Sequence, residues 1–297
     1  MKIFSKIAAL ITAVGLTVGM CGTVAFADNA EKTPDGYVTV SVEKFTIGQG
    51  YVSQPKTVGF YTGETGMDVL VRAVGKENIA ITEGSWGNYI SGFADKDTGS
   101  VNLSDSLKTV LKVEDLTDRT TTGYLSEFDY TTNAGFSFFV NNKSSMVGVD
   151  AYAPVDGDVI RMQFSIYESG ADLGTDSRWE WEGATGGSAS IIPETNRDNL
   201  TVLIAKALAG TNKVDCQNAI AVISNLDSVQ SELDASYSAL EKAIEEDNKP
   251  VGDNKPINDK KPTETTKPAQ TGLEVCLVLP IAIMAFGILF KVKPNKR

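Results

Sequence analysis

Apolar and polar residues alternate most regularly along residues 135–167. Because the side chains of a strand point alternately to opposite faces, the alternation predicts two strands, the first ending in a turn at Asn141 and Asn142. The positions predicted to face the core are Phe136, Phe138, Val140, Ile160, Met162, Phe164 and Ile166. The positions predicted to face outward are Arg161, Gln163 and Ser165. The pattern is typical of an antiparallel sheet with one buried face.

Two more strands are predicted nearer the start of the chain. Residues 38–42 carry valine at every second position, and we expect this first strand at the centre of the sheet. Beyond Glu43 the apolar positions shift to Phe45 and Ile47, and a β-bulge near Glu43 would explain that shift. Residues 56–61 are predicted to form the second strand.

A helix is predicted between Thr65 and Gly75. Its apolar residues recur three and four positions apart, as on one face of a helix, and they are Met67, Leu70, Val71 and Val74. Thr65 can cap the first turn while Asp68 returns the hydrogen bond, and Gly75 favours the helix end. One helix with strands on both sides predicts an α+β fold.

Residues 193–247 change to helical spacing. Three apolar stripes predict three short helices that bury their stripes on one another as a small bundle. Nothing catalytic projects from these stripes, so we predict a spacer or a partner-docking segment. Lys-Pro pairs then recur within residues 248–272, and because proline lacks an amide hydrogen this stretch is predicted to be an extended stalk.

The two ends of the chain predict export and anchoring. Residues 1–27 combine a basic start, an apolar run and an Ala-Phe-Ala cleavage pattern, which is the signature of a secretory signal peptide. Residues 273–297 contain an apolar run followed by a basic tail, which predicts a transmembrane anchor with a cytoplasmic end. The exported β-rich domain is predicted to span residues 28–192.

Residues from Val38 to Tyr167 resemble the transcobalamin-like C-terminal domain family. The likeness lies in an aromatic strand that ends in Val-Asn, a short hydrophobic return, and an Asp-Gly-Asp-Val-Ile run that opens the last strand. In bacteria this family recurs in secreted and surface proteins of Gram-positive organisms. The resemblance implies a small β-grasp-like domain, with an antiparallel or mixed sheet and one packed helix, and it implies a corrinoid such as cobalamin as a ligand.

Residues 268–272 resemble a sortase cell-wall sorting signal. Thr271 and Gly272 precede the apolar run and the basic tail, although Pro268 and Ala269 stand where leucine and proline are usual. The resemblance implies cleavage after Thr271 and covalent attachment to peptidoglycan, and a plain membrane anchor is the alternative. In either case we expect the protein on the extracellular face of the membrane or in the cell wall of a Gram-positive bacterium.

Charge and composition narrow the class of function. A formal net charge of −11 would repel nucleic acid. The chain has no histidine, which excludes Ser-His-Asp and Cys-His nucleophiles, and Cys216 has no nearby thiol with which to hold zinc. We therefore expect no enzymatic activity, bound metal or cofactor. Carboxylates such as Asp156 and Glu180 leave an acid–base hydrolase as a third hypothesis.

Aromatic and amide side chains near turns are the candidate ligand contacts, since they combine apolar area with a polar group. They are Trp86, Tyr89, Asn141, Asn142, Trp179 and Trp181. The sequence predicts a non-catalytic surface protein that binds a small ligand, with cobalamin implied by the resemblance. The alternative is an adhesin or scaffold that contacts a surface protein or a glycan.

Overall fold

The structure is a computed structural model that describes residues 33–84, 87–96, 100–120, 123–210 and 214–247. The predicted signal peptide, stalk, sorting signal at Thr271 and Gly272, and C-terminal anchor lie outside these residues. None of the helices in the described ranges is both long and apolar enough to cross a membrane.

The described chain has a mixed α+β fold. Its strands are β1 (Gly36–Glu43), β2 (Tyr51–Phe60), β3 (Ile79–Gly84), β4 (Gly87–Ala94), β5 (Tyr124–Ser126), β6 (Gly135–Val140), β7 (Lys143–Ser144), β8 (Val159–Ser165), β9 (Trp179–Trp181) and β10 (Ala184–Gly186). Its α-helices are α1 (Gly66–Val74), α2 (Asp198–Ala209), α3 (Gln217–Ser224) and α4 (Gln230–Asp247).

The largest sheet has the strand order β2-β1-β8-β6-β7, and β1 lies inside it as predicted. β1 pairs parallel to β8, with Val40 opposite Ile160, and antiparallel to β2. β6 pairs antiparallel to β8, with Phe138 opposite Met162. The sheet is therefore mixed. A second sheet has the order β3-β4-β5, and β9 and β10 form a two-stranded ribbon.

Helix α1 confirms the predicted capping pattern. The Asp68 amide donates to the Thr65 hydroxyl over 3.4 Å, and the Thr65 amide donates to the Asp68 carboxylate over 2.8 Å. Gly75 follows the last helical residue. The helix buries Met67 and Leu70 in one core cluster with the valines of β1 and with Ile160 and Met162 of β8.

The pairing of β1 with β2 shifts its register next to Glu43, where a bulge is predicted, but the bulge does not by itself account for the apolar shift. β1 ends at Glu43, and Phe45–Ile47 form a 3-10 helix that places Phe45 and Ile47 in the core. Gly48, at a φ of 68°, closes that turn and donates its amide to the Phe45 carbonyl. The pairing of β1 with β2 is irregular earlier, between Val40 and Glu43. A turn of helix, and not an extended strand, therefore accommodates the shift.

The prediction that Arg161, Gln163 and Ser165 face outward is wrong. All three are buried, as are the residues beside them on the same face of β1, which are Thr39, Ser41 and Glu43. The Arg161 guanidinium donates to both Glu43 carboxylate oxygens, over 2.8 and 2.7 Å. The Ser41 hydroxyl donates to Glu43 as well, over 2.7 Å. The polar face of the sheet is thus a hydrogen-bonded layer, which is the condition under which charges tolerate burial.

The helical segment covers this layer. α2 packs against β2, β1 and β8 as well as against α3 and α4. Leu200, Leu203 and Ile204 of α2 belong to one core cluster with Phe45, Phe164 and the buried residues of α3 and α4. The three helices pack on one another as predicted, and α2 packs on the sheet as well. The boundaries of the predicted segments stay predictions.

A buried carboxylate fixes the turn that follows β8. Asp172 accepts hydrogen bonds from the Ser165 hydroxyl and the Ile166 amide, both over 2.7 Å, and from the Tyr167 amide over 3.1 Å. Burial raises the pKa of Asp172 to about 6, although these hydrogen bonds oppose the shift. The folded chain therefore holds a proton on this group more tightly than the unfolded chain does.

We predict that Glu43→Gln destabilises the protein by about 3–5 kcal/mol, because it leaves the buried Arg161 charge without its bidentate partner. The remaining carboxylate, Asp198, is 3.5 Å away. Glu246→Gln is the matched control, since Glu246 is exposed and pairs with Lys242 at 3.9 Å. Denaturant unfolding of the two variants measures the difference. Equal losses of unfolding free energy would contradict the account of the buried layer.

We predict that the unfolding free energy of Asp172→Asn increases relative to that of the wild type as the pH rises from about 4 to 7. The pKa of Asp172 is higher in the folded chain than in the unfolded chain, so the protonated carboxyl stabilises the fold. This contribution is complete below the unfolded pKa and is lost as the pH rises past the folded pKa of about 6. The full difference is about 3 kcal/mol. Unfolding free energies of both proteins across this pH range measure it, and parallel curves would refute the proposed titration.

Candidate functional site

A cleft of about 740 Å³ lies beside the edge of the main sheet. We call it the arginine cleft, after the two buried arginines that line it, Arg161 and Arg197. Other segments that contribute to its wall are the β6–β7 turn, residues 173–177 and residues 190–195. Its volume falls within the range of about 300–1,000 Å³ typical of small-molecule sites.

Arg161 is held in place by the polar layer of the sheet. Besides its bonds to Glu43, it donates to the Gln163 side chain over 3.2 Å and to Asp198 of α2 over 3.5 Å. Burial by itself would lower the pKa of Arg161, but the Glu43 carboxylate outweighs burial and the pKa lies above its ordinary value. Arg161 therefore has a fixed position at the floor of the cleft, and its positive charge is already balanced by Glu43.

Arg197 links the start of α2 to the end of α3. Its guanidinium donates to the carbonyls of Ile223 and Asn225, over 3.1 and 3.0 Å, and to the Thr195 hydroxyl. Carbonyls at a helix C-terminus lack intrahelical partners and attract cations. Burial, followed by the nearby charge of Arg161, lowers the pKa of Arg197 to about 10. The second arginine is thus satisfied mainly by backbone carbonyls.

The β6–β7 turn forms one rim of the cleft. Asn141 and Asn142 have φ values of 50° and 61°, and Val140 pairs with Lys143 across them. This is the two-residue hairpin in which asparagine is favoured, so the predicted turn is confirmed. The side chain of Asn142 donates to the Thr195 carbonyl over 3.2 Å and lines the cleft.

Asn141 does not line the cleft. Its side chain donates to Asp158 over 2.8 Å and accepts from the Val159 amide over 3.0 Å, which fixes the turn on β8. Asp158 also accepts from the Tyr152 hydroxyl over 2.6 Å. Of the two predicted asparagines, Asn142 is therefore placed to contact a ligand and Asn141 supports it.

The opposite rim carries acidic and hydroxyl groups. Asp176 lines the cleft and pairs with Arg178, whose hydrogen bonds lower the pKa of Asp176 to about 2. Ser177 lies next to it, and its amide donates to the Ser188 carbonyl over 3.0 Å. Apolar area comes from Phe139, Leu173 and Ile192. The cleft therefore presents amides, hydroxyls and charged groups together with apolar side chains.

Of the remaining predicted site residues, Tyr89 does not line this cleft. Tyr89 is exposed on β4 of the second sheet, where its hydroxyl donates to Glu127 over 3.1 Å. Trp179 and Trp181 lie in β9, where they pair with Gly186 and Ala184, and Trp86 lies outside the described residues. Asn142 and Tyr89 thus lie at separate places in the fold.

Sequence reasoning missed both arginines of the cleft. Arg161 was predicted at an exposed strand position, and Arg197 lies in a stretch with no motif before α2. The only available signal was that a single polar face of β8 held an arginine and a glutamine at alternate positions. That signal does not reveal partners more than a hundred residues away, such as Glu43.

The described residues contain no set of side chains suited to bind a metal ion. They contain no cluster of three or more cysteine, aspartate or glutamate side chains placed to hold an ion. Asp95 pairs with the buried Lys44 and with Arg119, each over 2.8 Å.

Comparison with known proteins gives one family match and distant structural likenesses. Residues 104–165 match a domain of unknown function, DUF4430. A comparison with curated proteins finds no match. Among solved structures, haptocorrin in complex with Cbi is similar at a TM-score of 0.27 and 16% identity, over 44% of this chain and 25% of that chain. The chain therefore spans about a quarter of the length of haptocorrin.

A second solved structure resembles this chain about as distantly as haptocorrin does. It is a protein from Ruminococcus gnavus that carries a provisional metal-binding description, with a TM-score of 0.25 and 11% identity over 44% of this chain and 98% of that chain. The matched domain of unknown function covers the loop before β5, β5 itself, and the strands β6, β7 and β8 of the main sheet.

Proposed function

We propose that this protein is a non-catalytic binding protein of the bacterial cell surface, and that its small ligand occupies the arginine cleft. The observation that supports the proposal is the cleft of about 740 Å³ whose wall combines fixed polar groups with apolar side chains. Ligand sites are typically formed in advance and orient their ligand with a few such polar groups.

The charges of the cleft are paired or balanced, which favours a neutral, polar ligand. Lys143 and Glu194 line it with one charge of each sign. Arg161 is neutralised by Glu43 and approached by Asp198, and Asp176 is neutralised by Arg178. Arg197 is engaged by carbonyls. A ligand rich in amide or hydroxyl groups can exchange hydrogen bonds with Asn142 and the serines without displacing any of these pairs.

A corrinoid meets this description. Its rim carries carboxamide groups, and its planar ring offers apolar area to residues such as Phe139 and Ile192. The strand order of the main sheet, with β1 and β8 parallel at its centre and α1 against one face, is consistent with the β-grasp-like domain that the sequence resemblance implies. We propose cobalamin as the first ligand to test, bound on one side only because the cleft is smaller than the whole vitamin.

A binding role without catalysis is supported by the chemistry at hand. The whole chain lacks histidine, and Asp176 is held as a charged group by Arg178 and is a poor proton donor near neutral pH. Asp156, weighed as a catalytic acid, instead accepts the Tyr37 amide over 2.8 Å at a turn. The location at the cell surface, by a membrane anchor or by attachment to peptidoglycan, is part of the proposal.

We predict that cyanocobalamin binds the full chain saturably at micromolar concentration, as measured by isothermal titration calorimetry. Asn142→Gly, which keeps the positive φ of the turn, is expected to weaken binding about three- to tenfold by removing one polar contact. Lys143→Ala removes a second side chain from the same rim of the cleft. Its matched control is Lys112→Ala, since Lys112 is exposed and lies away from the cleft.

Two outcomes would count against the proposal. Absence of any binding heat at saturating cyanocobalamin would remove the corrinoid as ligand. Binding that Asn142→Gly and Lys143→Ala leave unchanged would place the ligand elsewhere than in the arginine cleft.

A further inference from the structure

A second, separate groove lies on the β3-β4-β5 sheet. It has a volume of about 380 Å³ and is lined by Ala80 and Ser91 of the sheet and by residues of the loop that follows β5. We call it the Phe128 groove, since Phe128 is its most exposed aromatic residue. It shares no lining residue with the arginine cleft.

Phe128 is displayed to solvent by an unusual backbone conformation. Its φ is 66°, a region that bulky residues rarely occupy, and its side chain is 57% exposed. Large aromatic residues are usually buried because of their apolar area. An exposed aromatic ring held in a strained conformation points to a role outside the core.

The loop around Phe128 is rigid. Asp129 is fully buried, and its carboxylate accepts the Thr120 amide over 2.6 Å and the Ser126 amide over 2.8 Å. The Phe128 amide donates to the Ala134 carbonyl over 2.9 Å, and the Glu127 amide donates to the Ser91 carbonyl over 2.8 Å. These bonds fix the backbone that carries the ring before any ligand arrives, which lowers the entropic cost of binding.

The groove combines this aromatic face with hydrogen-bonding groups. Tyr124 contributes a second ring, while Ser91, Thr120 and Ser126 contribute hydroxyls. Glu127 contributes a carboxylate, positioned by the Tyr89 hydroxyl at 3.1 Å. None of the residues that line the groove is a cation, so an anionic ligand would meet only the charge of Glu127.

We propose that the Phe128 groove binds a pyranose ring of a glycan. A pyranose has a face of C–H groups that can lie on Phe128 and a rim of hydroxyls that can donate to Glu127 and exchange hydrogen bonds with the serines. A wholly apolar ligand would leave these polar groups unpaired. The volume, near the lower end of the range for small-ligand sites, suits one or two sugar rings.

The test is a titration of the full chain with cello-, chito- and mannotetraose, followed by isothermal calorimetry. We expect saturable binding of at least one tetrasaccharide at millimolar concentration or below. Phe128→Gly removes the ring and is compatible with the positive φ, so it should weaken binding about tenfold or more without loss of thermal stability. Glu127→Gln should weaken it several-fold.

Tyr37→Ala is the matched control, because Tyr37 is an exposed aromatic residue that does not line the groove. It should bind as the wild type does. Absence of saturable binding by all three tetrasaccharides would overturn the proposal. So would binding that Phe128→Gly leaves unchanged while its melting temperature matches that of the wild type. Neither result bears on cyanocobalamin binding in the arginine cleft.

Discussion

The buried pair of Arg161 and Glu43 is the interaction on which the rest of this structure depends. It joins the two parallel strands at the centre of the main sheet, over 2.8 and 2.7 Å. Because each charge satisfies the other, a face that carries arginine, glutamate and glutamine can lie under helix α2 instead of facing water. The sheet consequently has covered faces on both sides, one under α1 and the other under α2.

Burial of the polar layer also positions the candidate site. Asp198 at the start of α2 approaches Arg161, and the neighbouring Arg197 reaches the end of α3. The segment that leads into α2 therefore lies along the sheet edge and faces the Asn141–Asn142 turn. The arginine cleft is the space left between them. Its polar groups are largely paired within the protein, so it favours a ligand that adds hydrogen bonds rather than charge.

Local features of this fold could be predicted from the sequence. The helix that begins after Thr65 and the turn at Asn142 are encoded by residues a few positions apart, and both are confirmed. The alternation in β8 correctly separated its two faces. It could not show that both faces are buried, because the partner of Arg161 is 118 residues away. Likewise the left-handed conformation of Phe128 lies beside the buried carboxylate of Asp129, which accepts from Ser126 and Thr120, and no spacing in the sequence reveals it.

The most direct measurement of the central claim is hydrogen–deuterium exchange of the full chain with and without saturating cyanocobalamin. If the ligand occupies the arginine cleft, exchange should slow at residues 142–144, 174–177 and 194–197 together, since these segments line the cleft from different parts of the chain. Unchanged exchange at all three segments would contradict the account.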